Sequence, residues 1–318
     1  MSKPMRILSL MGQNTNESIE AHFVLYDRVI GLHSAFKPDV IVYPENATSF
    51  GMEKKPVKGL AEPANGPSLR YYAATARKHK AWVVGGCYLA TTGKDRKKGD
   101  AWNAAVIMDR SGRHIHTYKK TYPVCCEYSA GIAPGPKGQA PVRTEFGLVG
   151  VAICFDIGFD DVWVEYGRKD TKIIFWPSAF PGGNLLNAHA VTHGYWIITS
   201  THDPRMRVID PMGRTVKVAD VRDRALEAVI ELDEAYVNMD YANICLNDIR
   251  AKYGKVLEIE ADSDLGWYRF VRKGGGPSVR DILNEFKLTT NREYYAASRR
   301  DIDRQRKSGD APKWKWGW

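Results

Sequence analysis

An α/β layered sandwich is the fold class that this 318-residue sequence predicts. Two observations lead there. Short apolar runs alternate with amphipathic helical patterns across the first two thirds, and that order occurs twice, each time closing in paired strands. Hydrophobic content of 44% beside 26% charged residues is ordinary globular usage, so disordered and fibrous classes are excluded.

The elements follow in order. Met5 to Met11 and Asp39 to Tyr43 are continuous apolar runs of buried-strand type, and between them Ile19, Phe23, Val24 and Ile30 recur at helical spacing. Gly66-Pro67-Ser68 opens a second helix with Leu69, Tyr72, Ala73 and Ala76 on one face. Ala81–Ala90, Ala101–Asp109 and His114–Lys120 read as strands, with Thr91–Asp100 as a hairpin loop. In the second round Gly147–Cys154 is a strand, Asp160–Arg168 a short helix and Lys172–Trp176 a buried strand. Asn184–Gly194 is the next helix and Trp196–Ser200 the next strand. Arg205–Asp210 and Thr215–Val218 flank a Pro211-Met212-Gly213 turn, and Leu226–Leu232 closes the set.

After about Glu260 the character changes. Asp262 to Trp318 holds thirteen Lys/Arg and eight Asp/Glu, so +5 of the net +9 lies there. Gly274-Gly275-Gly276-Pro277 breaks the chain, Val279–Phe286 and Arg299–Lys307 read as helices, and three tryptophans fall in the last five residues. We expect a core domain over residues 1–260 and a basic extension over 261–318 whose tryptophans pack against a neighbouring subunit, the alternative being that the extension folds back over its own subunit. No nucleic-acid motif accompanies the charge, so a nucleic-acid partner is not expected.

The five cysteines are odd in number and scattered, which argues against a disulfide framework and for a reducing, cytoplasmic setting. No apolar run approaches the ~18 residues of a membrane span, and the start lacks a signal-peptide core. His189 and His193 stand at i, i+4 on a helix but lack a third ligand, so neither a metal nor a cofactor is expected.

Candidate chemistry sits at strand ends. Val40-Ile41-Val42-Tyr43-Pro44-Glu45 is an apolar strand ending in Pro and a carboxylate, where α/β sheets bind ligands. In His116-Thr117-Tyr118-Lys119-Lys120, alternation puts Tyr118 and Lys120 on one face and Lys119 on the other. Leu148 to Ile153 runs into Cys154-Phe155-Asp156 just before a helix, a place where backbone N–H groups favour a thiolate and then an oxyanion.

Together, Pro44-Glu45, Tyr118-Lys119-Lys120 and Gly150-Val151-Ala152-Ile153-Cys154-Phe155-Asp156 resemble the nitrilase (carbon–nitrogen hydrolase) superfamily in order, spacing and strand context. Asn103, the Glu127 to Pro134-Gly135 segment, Trp176-Pro177-Ser178 and Asp210-Pro211-Met212-Gly213 also look like family landmarks, so the resemblance covers roughly residues 5–240. It implies an α-β-β-α sandwich of two mixed sheets and a homo-oligomer, a dimer or larger. It also implies a catalytic triad on Glu45, Lys120 and Cys154, and a second glutamate on Glu127 that holds Lys120. The backbone N–H of Phe155 would serve as an oxyanion donor. The implied activity is cofactor-independent hydrolysis of a small linear amide or N-carbamoyl compound through a Cys thioester. The alternatives are nitrile hydrolysis and a non-catalytic scaffold.

Departures from the family pattern bear on substrate. Cys154-Phe155-Asp156 stands where nitrilases tend to have Cys-Trp-Glu, which favours the amidase branch. Thr121-Tyr122 replaces the usual x-His after the lysine, and His189-Ala190-Val191-Thr192-His193 replaces the common Arg-Ala-x-Glu-Asn.

Overall fold

The computed structural model describes residues 4–52, 54–220 and 222–309. The described residues divide into two compact units, residues 5–230 and residues 231–309.

The first unit carries two six-stranded mixed sheets. Its strands are β1 (Met5–Leu10), β2 (Val40–Val42), β3 (Trp82–Ala90), β4 (Ala101–Met108), β5 (His114–Lys119), β6 (Val142–Thr144), β7 (Gly147–Val151), β8 (Ile173–Ser178), β9 (Trp196–Thr201), β10 (Arg207–Ile209), β11 (Thr215–Val218) and β12 (Ala225–Ile230). One sheet has the order β12-β1-β2-β3-β4-β5 and the other β11-β10-β9-β8-β7-β6. In each, the central pairs are parallel and the flanking pairs antiparallel. Parallel strands covered on both faces read as unbroken apolar runs, which is why β1, β2, β8 and β9 stand out in the sequence. The two sheets meet through small hydroxyls. Ser9 Oγ donates to the Thr199 carbonyl and Ser200 Oγ to the Leu10 carbonyl, both at 2.6 Å. The α/β sandwich of two mixed sheets flanked by helices is thus the fold.

Several local expectations shift. The helix Ile19–Leu32 buries His22, Tyr26, Val29 and Ile30, while Val24 is 70% exposed. Of the expected face Ile30 is buried, Ile19 and Phe23 are half-buried and Val24 alone points out, while Tyr26 and His22 also pack inward through their rings and hydrogen bonds. The strand expected over Gly147–Cys154 stops at Val151, and Cys154 opens a one-turn 3-10 segment, Cys154–Gly158. The Thr91–Asp100 loop holds a 3-10 turn, Gly93–Lys97.

The second unit begins at residue 231, upstream of the boundary expected at 260. Composition changes only after residue 260, but β13 (Glu234–Asn238) pairs with β15 (Trp267–Arg272), which also pairs with β14 (Leu257–Asp262). Residues 231–260 therefore share a sheet with the segment beyond them. Val237, Ile249, Phe270, Val279, Ile282 and Leu283 form the core of this unit, so it has an apolar centre that the tail alone lacked. The helices Val279–Glu285 and Asn291–Ser308 lie where charge and spacing placed them, the second starting eight residues earlier. Ser278 and Thr290 cap them through their side chains. The terminal tryptophans lie outside the described residues. Among the described residues no helix is long and apolar enough to cross a membrane.

Candidate active site

Four segments of the first unit converge on one buried polar cluster. Glu45 leaves the end of β2, Asn103 sits on β4, Lys120 follows β5, and Glu127 lies on the short helix Cys125–Ser129. Glu45 can sit where it does because β3 offers a bare position. A Cβ at Gly86 would collide with the Pro44 carbonyl and crowd the Asn46 N–H, so glycine there lets the strand pass close beneath the carboxylate loop.

Lys120 is 1% exposed and its Nζ donates to Glu45 Oε1 at 2.7 Å and Glu127 Oε2 at 2.6 Å. Asn103 Nδ2 donates to the same two carboxylates, at 2.7 Å to Glu45 and 2.6 Å to Glu127. Glu127 Oε2 also accepts the Val124 N–H at 2.9 Å, so the residue that holds Lys120 caps its own helix. The second oxygen of Glu45 accepts the Ala179 N–H at 2.9 Å, from the loop after β8. The sequence-predicted cluster of Glu45, Lys120 and Glu127 is therefore brought together in space.

Neighbouring Lys119 goes the other way, its Nζ lying 3.3 Å from the centre of the Trp102 ring. Strand alternation separates the two lysines, as expected for a pleated chain.

Cys154 is buried, at 8% exposure, and adopts φ +48°, in the left-handed region that a non-glycine residue enters at a cost of about 1–3 kcal/mol. Its thiol lies within the electrostatic reach of the Glu45 carboxylate and the Lys120 ammonium. Phe155 follows in the first turn, with its ring 40% exposed and set edge-on to Phe159.

The electrostatics follow from this geometry. Burial, the largest influence on Glu45, raises its pKa, but the charge and hydrogen bond of Lys120, with Cys154 and His202, outweigh it and hold the carboxyl below its ordinary 4.5. Burial works to deprotonate Lys120, yet Glu45, Cys154 and Glu127 around it push the ammonium above its ordinary 10.5. Burial and the Glu45 charge push the Cys154 thiol up to about 12 against the lowering effect of Lys120 and Ala179. The resting site is thus a neutral thiol beside an ionised carboxylate, with the thiolate expected from the turn geometry replaced by a base in its electrostatic reach. That pairing is what a nucleophile activated by a general base requires.

His202 was not singled out by the sequence. Its Nε2 lies 2.6 Å from the Glu45 carbonyl and its ring stacks on Phe50 at 3.8 Å. It comes from the loop after β9, 157 residues from Glu45, and no local pattern announces such a contact. His189 has a structural setting, stacked on Trp163 at 4.2 Å with Nε2 bonded to the Ile157 carbonyl.

Comparison with known proteins agrees with this architecture. A family model described as carbon-nitrogen hydrolase matches residues 10–230. Deaminated glutathione amidase from Bos taurus is 27% identical over 200 residues, which is 54% of this chain and 60% of that protein. The chain therefore spans 60% of the length of that curated relative. 2-Oxoglutaramate amidase from Paenarthrobacter nicotinovorans is 22% identical over 248 residues, covering 71% of this chain and 80% of that one. Among solved structures, Nit3 of Saccharomyces cerevisiae superposes with a TM-score of 0.62 at 19% identity, over 72% of this chain and 90% of that one. An amidase from Nesterenkonia sp. gives 0.61 at 19% identity, over 80% and 97%. Those two likenesses establish the fold. With a family model covering more than two thirds of its length and a shared sandwich, the chain belongs to the carbon–nitrogen hydrolase family.

Proposed function

We propose that the protein is a cysteine-dependent amidohydrolase that cleaves the C–N bond of a small linear amide through a thioester on Cys154. The observation that carries this reading is the buried Glu45 carboxylate, which accepts from the Lys120 ammonium at 2.7 Å and lies close enough to the Cys154 thiol to raise its pKa.

In the first half-reaction Glu45 takes the thiol proton as sulfur attacks the carbonyl carbon. Negative charge collects on the carbonyl oxygen. Lys120 spends two hydrogen bonds on Glu45 and Glu127, and its third N–H, with the backbone N–H of Phe155, is assigned to that oxyanion. Protonated Glu45 passes its proton to the leaving nitrogen, the C–N bond breaks, and ammonia or an amine departs. In the second half-reaction Glu45 deprotonates a water that attacks the thioester. The acid is released and the proton returns to sulfur. Glu127 keeps Lys120 charged and fixed throughout.

The amide class is supported by the names of the relatives, and by a mutant amidase of the same fold whose active-site cysteine carries the acetamide moiety of fluoroacetamide. N-carbamoyl compounds share the same carbonyl and leaving nitrogen. Ammonia release from a panel of aliphatic amides, N-carbamoyl amines and the corresponding nitriles tests the assignment. Fastest release from amides supports it, and release from nitriles alone moves the enzyme to the nitrilase branch.

A further inference from the structure

One buried carboxylate near the site has no step in the chemistry above. Asp156 is fully buried, two residues beyond Cys154. Its Oδ1 accepts the Tyr122 N–H at 2.8 Å. Its Oδ2 accepts the Ile153 N–H and the Tyr118 phenol, both at 2.9 Å. The Asp156 carbonyl accepts the Trp163 indole N–H at 2.9 Å, which fixes its own backbone.

The donors come from two places that no ladder joins. Tyr118 and Tyr122 lie two residues to either side of Lys120, Tyr118 on β5 of one sheet and Tyr122 just past its end. Ile153 immediately precedes Cys154, beyond the end of β7 in the other sheet. Each sheet fixes its own strands, but the relation of the lysine to the cysteine spans the two. Three donors converge on one side chain, and only an acceptor-only group such as a carboxylate satisfies them all. Cys154, at φ +48°, also needs its surroundings to hold a backbone that would otherwise relax.

We propose that Asp156 is a positioning residue that sets the orientation of the Cys154 thiol relative to Lys120, and so the productive geometry of the site. The proposal rests on the reading of Cys154 as the nucleophile. Burial lifts the Asp156 pKa to about 7 against the lowering influence of its three hydrogen bonds, so the chain keeps an ionisable group where burial opposes its charge. Such a group is retained readily when it fixes a geometry.

The test compares Asp156→Asn and Tyr118→Phe with the parent. The readouts are turnover of the fastest amide of the panel and iodoacetamide labelling of Cys154 at neutral pH, resolved by peptide mass spectrometry from exposed Cys125 and Cys126. Asn keeps the shape but turns donors toward donors. A misplacement near 1 Å costs about 100-fold, so kcat should fall by about that factor with KM within about 3-fold. Labelling of Cys154 should slow by about 10-fold while Cys125 and Cys126 react as before. Tyr118→Phe removes one of the three bonds and should lower kcat by about 5-fold at unchanged KM. A role confined to stability would lower the melting temperature and leave kcat and labelling alone. Folded Asp156→Asn with kcat and labelling within about 3-fold of the parent overturns the proposal. If that variant does not fold, an unchanged kcat and labelling rate in Tyr118→Phe overturns it. If the parent turns over no amide, the amidase reading fails, while the labelling comparison still decides the role of Asp156.

Discussion

The two units each hold a cation between two carboxylates, and only one of the two clusters has a thiol beside it. In the first unit Lys120 bridges Glu45 and Glu127. In the second, Arg269 on β15 bridges Glu234 on β13 and Glu260 on β14, at 2.7 and 3.2 Å. Charge count and geometry are alike, and burial raises the question of function in both. The difference lies in what else is present. Arg269 lies across one antiparallel sheet, its partners set by strand pairing, with Glu260 directly opposite it on β14 and Glu234 two residues along β13 from Tyr236, the residue opposite Arg269 there. Its planar fork is spent on those partners, as in a structural clasp. Lys120 is a point charge with three donors, held beside a thiol whose backbone is strained. A buried ion-pair triad is therefore weak grounds for a site, and a strained, buried thiol beside one of its carboxylates is stronger grounds.

Cys154→Ala gives the largest expected effect. Removing a covalent catalyst should cost about 1,000-fold or more in kcat, with circular dichroism and melting temperature close to the parent because only a small group is lost. Residual turnover above about 1% of the parent would show that the thiol is not the nucleophile.

The lysine pair sharpens the comparison within one strand. Lys120→Ala should lower kcat by about 100-fold, and it also strands Glu45 and Glu127 without their cation. Lys119→Ala, which gives up a contact with the Trp102 ring, should stay within about 3-fold. Reversed outcomes would mean that the register of β5 is off by one residue.

Arg269→Met carries the contrast to the second unit. Leaving Glu234 and Glu260 without their partner should destabilise by about 2 kcal/mol, read as a lower melting temperature, with kcat of the folded protein within about 2-fold. A large fall in kcat at unchanged stability would erase the distinction between the clusters.

The smallest effect is read through pH. Glu45 lies below its ordinary 4.5 when folded, so its ionisation adds stability at higher pH that is lost as pH falls through the folded value. Lys120, raised above 10.5, adds stability that persists through neutral pH and fades only on the alkaline side. The stability advantage of the parent over Glu45→Gln should therefore be steady across neutral pH and shrink below about 4.5. An advantage that grows toward acid would contradict the ionised state of Glu45.

The first unit and its site were legible because their signals are local. Apolar runs that end in Pro44-Glu45 or Cys154-Phe155-Asp156 mark strand ends, and alternation alone separates Lys120 from Lys119. The second unit was less legible. Leu257–Asp262 and Trp267–Arg272 mix charged residues into half-buried strands, and those charges are spent across the ladder, as Glu260 opposite Arg269 shows. A compact unit starting at residue 231 is invisible to a composition shift that begins after residue 260. Within the site, the bonds of Asn103 to both glutamates and of His202 to the Glu45 carbonyl join distant segments and have no sequence period.

The covalent intermediate offers the most direct test of the central claim. The parent enzyme is mixed with its fastest amide, quenched in acid within the first turnovers, digested, and the peptide carrying Cys154 is weighed. The expected result is a mass increase on Cys154 equal to the acyl group less the one hydrogen it replaces, appearing with ammonia and absent from the Cys125-Cys126 peptide. Ammonia released with no acyl mass on Cys154, while turnover survives in Cys154→Ala, would contradict it.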